Sequence, residues 1–250
     1  MPRFLHGSIE LAFIDEGEGE PVILVHGFAS TKEVNWVAPG WAATLTRGGR
    51  RVIALDNRGH GDSTKLYRPA DYATDRMAED AGALLDHLGL QSADLMGYSM
   101  GARICAFLAL RRPAVARSVI LGGLGHHLVD GVGLPESIAE ALEAPSLDDV
   151  TDPTGRMFRA FAEQTKADLR ALAACIRGSR QTLTHAEVAA IKAPVLIAVG
   201  SKDPIAGSAQ KLAALMPNAQ ALDIAGRDHM LAVGDKQFKQ GVLKFLAERP

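Results

Sequence analysis

Residues 93–110 of this 250-residue chain read ADLMGYSMGARICAFLAL. The first six suit a buried strand, and the residues after Gly101 carry the apolar spacing of a helix. Between them stands Gly97-Tyr98-Ser99-Met100-Gly101, a G-x-S-x-G pattern that places a serine on a sharp strand-to-helix turn with its hydroxyl exposed. Free N–H groups and the positive end of the helix dipole lie beside that hydroxyl. The pattern predicts that Ser99 is a nucleophile, and the alternative is a serine that caps an ordinary helix.

A serine hydroxyl is a poor nucleophile at neutral pH, so this interpretation requires a general base and an acid that orients the base. Asp203 follows the apolar run 194–199 and would project from the carboxyl end of a strand, where ligands bind in open α/β sheets. The alternative for Asp203 is an Asx-turn before Pro204. We predict Asp203 as the orienting acid.

The base is expected after the serine and the acid, because that chain order is typical of a G-x-S-x-G serine in an α/β sheet. His229 follows the short apolar run 219–224, in a loop at the end of a final strand. Its neighbour Asp228 is less suited to orient it, because adjacent residues seldom present their side chains to each other. We therefore predict His229 as the general base, with a surface or packing histidine as the alternative.

Short apolar runs bounded by turn residues recur along the chain, and they suit strands covered on both faces. The runs are 22–25, 51–55, 93–98, 118–121 and 194–199. Helical stretches separate them, such as residues 75–88, whose apolar spacing is close to 3.6 and which end at Gly89. The alternation predicts an α/β fold with a mostly parallel sheet and helices on both faces. Residues 8–14 are expected to belong to an antiparallel N-terminal hairpin.

Residues 124–190, here called the insertion, interrupt this rhythm because they contain no strand-like run. Their spacing is helical, and Thr184-His185-Ala186-Glu187 has the pattern of a capping box. We predict one domain, with a core of residues 1–123 and 191–250 and a helical cap formed by the insertion. Some apolar residues of the insertion should line a substrate pocket, and spacing does not tell which. The candidates are Leu128, Val129, Val132, Leu134, Ile138, Leu142, Met157, Phe158 and Phe161.

Composition excludes several classes of function. The chain has 27 Lys plus Arg against 29 Asp plus Glu, a formal net charge of −2, and no basic stripe, so a nucleic-acid partner is not expected. No run of apolar residues is long enough for a transmembrane helix, and the N-terminus lacks the apolar region of a signal peptide. Cys105 and Cys175 are expected to be buried free thiols. These features favour a cytoplasmic protein without a membrane partner. There is no zinc-ligand spacing or phosphate-binding Walker loop, so we expect neither a metal nor a cofactor.

Four motifs in this order resemble those of the α/β-hydrolase superfamily over nearly the whole chain. They are His26-Gly27-Phe28, the loop 56–63 (DNRGHGDS), the serine motif 97–101, and the loops that carry Asp203 and His229. The pattern most resembles the branch of small esterases, cofactor-free haloperoxidases and enol-lactonases. That resemblance implies an eight-stranded sheet with a helical cap inserted after strand six. It also implies an oxyanion hole made by the backbone N–H groups of Phe28 and Met100.

The function predicted from these residues is hydrolysis of carboxylic esters through an acyl-enzyme. Lactone hydrolysis, carbon–carbon bond hydrolysis and perhydrolysis can use the same residues and stay open as alternatives. A ligand receptor on a hydrolase scaffold is a further alternative, because fold alone does not establish activity. The expected partner is a small-molecule ester, or an oligomeric polyester if the cap leaves an open cleft. The natural substrate and the oligomeric state do not follow from the sequence.

Overall fold

Eight strands form one sheet in the computed structural model, which describes residues 1–131 and 133–249. The strands are β1 (Arg3–His6), β2 (Ile9–Glu16), β3 (Glu20–Val25), β4 (Arg50–Leu55), β5 (Ala93–Tyr98), β6 (Ala116–Gly122), β7 (Val195–Gly200) and β8 (Ala219–Ile224). Their order across the sheet is β1-β2-β4-β3-β5-β6-β7-β8. The strands β1 and β2 pair antiparallel, and β2 also joins β4 antiparallel, whereas all pairings among β3 to β8 are parallel. The predicted mostly parallel sheet with an N-terminal antiparallel hairpin is confirmed.

The described residues also form ten α-helices. These are α1 (Trp41–Arg47), α2 (Thr74–His87), α3 (Met100–Arg111), α4 (Ser137–Glu143), α5 (Pro153–Gln164), α6 (Leu169–Gly178), α7 (His185–Ala190), α8 (Ala209–Ala213), α9 (His229–Ala232) and α10 (Lys236–Glu248). No helix in this described part of the chain is long and apolar enough to cross a membrane.

Apolar side chains cover both faces of the sheet, as the continuous apolar runs predict. Along β3, Val22 and Leu24 point into a cluster that includes residues of α1 and α10. The alternating residues Ile23 and Val25 belong to a second cluster, with residues of α2 and α3. Successive residues of a strand point to opposite faces, so one four-residue run contributes to both cores. Because β5 to β8 are parallel, the carboxyl ends of β5, β7 and β8 lie at the same edge of the sheet.

The insertion contributes helices α4 to α7 between β6 and β7. Side-chain caps mark the start of α5, α6 and α7. The Asp152 carboxylate accepts the N–H of Gly155 at the start of α5, and the Asp168 carboxylate accepts that of Ala171 at the start of α6. The capping box predicted at Thr184 is present at the start of α7. Val132, one of the predicted pocket candidates, and Pro250 lie outside the described residues. The domain division at residues 123/124 and 190/191 stays a prediction.

Candidate active site

The turn that carries Ser99 has a backbone that only close packing can hold. Ser99 has φ 54° and ψ −114°, between the last residue of β5 and the first residue of α3. For a non-glycine residue, this backbone conformation costs about 1–3 kcal/mol of strain. A hydrogen bond from the Ser99 N–H to the carbonyl oxygen of Gly122 (2.8 Å) helps to hold the conformation. The two glycines of the motif are sterically required. A Cβ on Gly101 would lie 1.9 Å from the carbonyl oxygen of Val25, and one on Gly97 would lie 2.2 Å from the carbonyl carbon of Gly101.

The three residues predicted as nucleophile, base and acid lie within hydrogen-bond distance of one another. His229 Nε2 is 2.9 Å from Ser99 Oγ, and His229 Nδ1 is 2.7 Å from Asp203 Oδ2. The Asp203 side chain is fully buried, and its other oxygen accepts the N–H groups of Ile205 (2.8 Å) and Ala206 (3.1 Å). A carboxylate held in this way favours the imidazole tautomer with its proton on Nδ1. The lone pair of Nε2 then faces the serine hydroxyl.

Two contacts hold His229 in place. It is the first residue of α9, and the Oδ1 atom of Asp228 caps this helix by accepting the N–H groups of Met230 (3.1 Å) and Leu231 (2.9 Å). Asp228 is therefore engaged with the backbone. The hydroxyl of Tyr98 donates to the carbonyl oxygen of His229 at 2.6 Å, and burial raises the pKa of this phenol well above its usual value. The residue before the serine thus anchors the loop of the histidine.

Met100 follows Ser99 directly in the chain, and Phe28 lines the same cavities as Ser99. Within residues 1–131 and 133–249, neither N–H group donates to a protein acceptor. The loop that carries Phe28 is held on both sides, because the Gly27 N–H donates to Asn35 Oδ1 (2.8 Å) and the Ala29 N–H donates to His60 Nε2 (3.3 Å). Free N–H groups beside a nucleophile are the donors that stabilise an oxyanion, and the assignment of this role to Phe28 and Met100 stays a prediction.

A buried polar network supports the loop that carries Phe28. The Asp56 carboxylate accepts the Lys32 ammonium (2.6 Å) and the Lys32 N–H (2.8 Å). Burial lowers the pKa of His60 to about 3 and also lowers the pKa of His26, so both rings are neutral at pH 7. Neutral rings can accept backbone N–H groups, as His60 does. The sequence carried no signal for the position of Lys32, whose side chain is fully buried.

Two cavities meet at Ser99 and Phe28. The larger has a volume of about 180 Å³ and the smaller about 30 Å³. The larger is lined by Gly27, Phe28, Ser30, Val34, Asn35, Tyr98, Ser99, Phe158, Phe161, His229, Met230 and Val233. The smaller is lined by Phe28, Ser99, Met100, Arg103, Gly123, Leu124, Gly133, Leu134, Ile176, Ser179 and Ile205.

The insertion reaches both cavities with only some of the candidates predicted from its apolar spacing. Phe158 and Phe161 of α5 line the larger cavity, and Leu134 lines the smaller one. Leu128, Val129, Ile138 and Leu142 pack in the core, and Met157 faces solvent. Which side of α5 faces the cavity depends on how this helix packs against its neighbours in the insertion, which periodicity does not encode.

One group of three potential metal ligands occurs in the described part of the chain, and it lies outside both cavities. It consists of His126, Asp130 and His185, whose ligand atoms lie within 4.8 Å of one another. His126 Nε2 is 2.9 Å from Asp130 Oδ2, and both Asp130 and His185 are exposed. A histidine and a carboxylate on the protein surface also form such a contact without a metal.

Known proteins resemble this chain in sequence and in fold. A family model described as the alpha/beta hydrolase fold matches residues 20–137. The dihydrolipoyllysine-residue acetyltransferase component of the acetoin cleaving system of Pseudomonas putida is 34% identical over 249 residues, which cover 91% of this chain and 64% of that protein. The chain thus spans just under two thirds of that relative. A non-heme chloroperoxidase of Kitasatospora aureofaciens is 26% identical over 96% of both chains.

Solved structures also resemble this chain at the level of the fold. The enol-lactonase of Burkholderia xenovorans superposes with a TM-score of 0.80 at 22% identity, covering 99% of this chain and all of that one. At this identity the similarity concerns the fold, and the chemistry must be argued from the residues around Ser99.

Proposed function

The chain belongs to the α/β-hydrolase superfamily, and we propose that it is a serine hydrolase that cleaves carboxylic esters through an acyl-enzyme on Ser99. The observation that carries the proposal is the continuous hydrogen-bonded path from Asp203 through His229 to Ser99 Oγ, with distances of 2.7 and 2.9 Å. A nucleophile needs this path because its hydroxyl proton must leave as the new bond forms.

Acylation begins when Ser99 Oγ attacks the ester carbonyl carbon and its proton passes to His229 Nε2. Asp203 stays ionised and stabilises the imidazolium ion that results. The carbonyl oxygen becomes an oxyanion, which the N–H groups of Phe28 and Met100 stabilise. Such donors act selectively on the transition state, and the loss of one typically costs about a hundred- to a thousandfold in rate.

Collapse of the tetrahedral intermediate expels the alcohol, whose oxygen takes the proton from His229 Nε2. A water molecule then gives its proton to His229 and attacks the acyl-enzyme, and Ser99 recovers its proton when the acid leaves. Every step uses side chains and backbone groups of this chain, so the proposal includes no cofactor. The apolar lining from Phe158 and Phe161 suits an uncharged aliphatic or aromatic alcohol.

The first experiment measures hydrolysis of p-nitrophenyl esters from acetate to decanoate by the wild type and by Ser99→Ala. We expect turnover in the wild type and its loss in the variant, with unchanged thermal unfolding. Activity that survives in Ser99→Ala would overturn the assignment of the nucleophile. A folded wild type that hydrolyses none of these esters would shift the proposal to carbon–carbon bond hydrolysis or to a receptor.

A further inference from the structure

Arg103 lies one helical turn after Ser99 and is almost completely buried, with 4% of its surface exposed. Its guanidinium is surrounded by backbone carbonyl oxygens of the insertion. Nη1 donates to Gln181 (2.9 Å) and more weakly to Leu128 (3.4 Å), and Nη2 donates to His127 (2.7 Å) and Gly131 (3.2 Å). The side chain therefore ties the insertion to the helix that follows the nucleophile.

Two other arginines of the chain are buried to the same degree, and the Nε atom of each donates to a carboxylate. Arg58 Nε donates to Asp80 at 2.7 Å, and Arg159 Nε donates to Glu163 at 2.7 Å. Both also donate to backbone carbonyl oxygens, as Arg103 does. For Arg103, no carboxylate lies within ion-pair distance and no group accepts from Nε among the residues described. Arg103 is thus the one buried arginine in that part of the chain without an anion.

The surroundings of Arg103 make this lone charge costly. Burial lowers its pKa to about 10, with a further contribution from the nearby positive charge of Arg180. The guanidinium remains protonated at neutral pH. Carbonyl dipoles offset part of the desolvation cost, but a buried charge is normally paired with an opposite one. An anion beside Arg103 would complete the pattern seen at Arg58 and Arg159.

Arg103 lines the smaller of the two cavities that meet at Ser99. The reaction assigns a different part of the substrate to each cavity. The leaving oxygen must take its proton from His229 Nε2, and His229 lines only the larger cavity. The alcohol therefore belongs in the larger cavity and the acyl chain in the smaller one, which Met100 also lines.

We propose that the small cavity is an acyl site in which Arg103 binds a terminal carboxylate, so that the preferred substrates are monoesters of short dicarboxylic acids. The inference rests on the proposed ester hydrolysis. The small volume, about 30 Å³, favours short acyl chains. Arg103 would bind the substrate through Nε while its Nη atoms keep their contacts with the insertion.

The test compares charged and neutral substrates of matched length. We would measure kcat/KM for the p-nitrophenyl monoesters of succinic, glutaric and adipic acid, and for the same compounds with the free carboxylate converted to its methyl ester. Spontaneous hydrolysis is subtracted for each. We expect the wild type to prefer the charged member by about 30-fold or more for at least one length, as expected for a desolvated charge pair.

Arg103→Met should abolish this preference, and Arg103→Lys should retain part of it. The ratio is taken within one variant, so loss of folded protein lowers both rates equally and does not change it. Arg159→Met is the matched control, because it removes a buried arginine that also binds carbonyl oxygens of the insertion but lines neither cavity. We expect that control to keep the wild-type ratio.

The failure of this inference differs from failure of the proposed function. A wild type that cleaves the neutral esters at least as well as the charged ones, at every length, would overturn the carboxylate site and leave the esterase assignment standing. A preference that survives in Arg103→Met would also overturn it. If the wild type hydrolysed neither the charged nor the neutral esters, the proposed function itself would be refuted.

Discussion

Replacement of Asp203 by Asn tests how the His229 ring is oriented. Asp203 Oδ1 accepts two backbone N–H groups, and Oδ2 accepts His229 Nδ1. An asparagine would have to keep its only oxygen on the backbone side, since turning it around would leave two buried N–H donors facing an NH₂ group, at about 1–3 kcal/mol each. The NH₂ group would then face Nδ1, and the imidazole would have to carry its proton on Nε2.

That tautomer points its N–H at Ser99 Oγ and cannot accept the serine proton. A change of this kind lowers kcat by about 10³- to 10⁴-fold in other serine hydrolases, which corresponds to about 4–5 kcal/mol of lost transition-state stabilisation. We expect a loss of that size for Asp203→Asn, measured with a p-nitrophenyl ester. Thermal unfolding should change little because the side chain keeps its shape.

Asp228→Asn is the matched control for this prediction. Asp228 is adjacent to His229 but caps α9 through a single oxygen, and asparagine caps a helix about as well. Its activity should stay within about twofold of the wild type. The reasoning would be refuted if Asp203→Asn kept more than about a tenth of the wild-type kcat, or if Asp228→Asn lost as much activity as Asp203→Asn.

Three further outcomes are expected. Gly101→Ala places a Cβ 1.9 Å from the Val25 carbonyl oxygen and should lower the free energy of unfolding in urea by about 3 kcal/mol or prevent folding, whereas Gly234→Ala, with 3.4 Å of clearance, should not. Burial lowers the pKa of His60 from 6.5 to about 3, so the unfolded chain binds a proton that the folded chain excludes between these values. The free energy of unfolding should therefore fall as the pH drops below about 6.5, by up to about 1.4 kcal/mol per pH unit from this residue. Urea titrations at several pH values should show that the free energy of unfolding of His60→Gln depends less steeply on pH than that of the wild type. Phe161→Ala should enlarge the alcohol cavity and shift kcat/KM by about tenfold towards esters of bulkier alcohols, and an unchanged ratio of naphthyl to p-nitrophenyl ester would contradict that placement.

Much of the fold could be predicted because its signals are local. Buried parallel strands leave continuous apolar runs, and a helix leaves an apolar spacing of 3.6, so the sheet and most of its helices were predictable from short windows. The exact boundaries of the strands were less predictable. The run 118–121 extends to Ala116–Gly122, because backbone pairing with β5 and β7 continues into residues without an apolar signal.

The candidate site was only partly predictable. Ser99 was found from a local motif, and Asp203 and His229 from their positions after strands. Lys32 and Asn35, which hold the loop of Phe28, were not found, because their partners lie elsewhere in the chain or on the backbone. Nothing near Lys32 in the sequence marks it as fully buried, since a lysine in a polar loop is normally exposed.

The sequence by itself determined the mostly parallel α/β class, the sharp turn at Ser99 and the order of serine, acid and histidine along the chain, because each depends on neighbouring residues or on strand ends. Only the tertiary structure decided which side chains of the insertion reach the cavities, how the loop of Phe28 is supported, and that Arg103 is buried without a carboxylate. These features depend on distances between segments far apart in the chain, and no local pattern of residues encodes such distances.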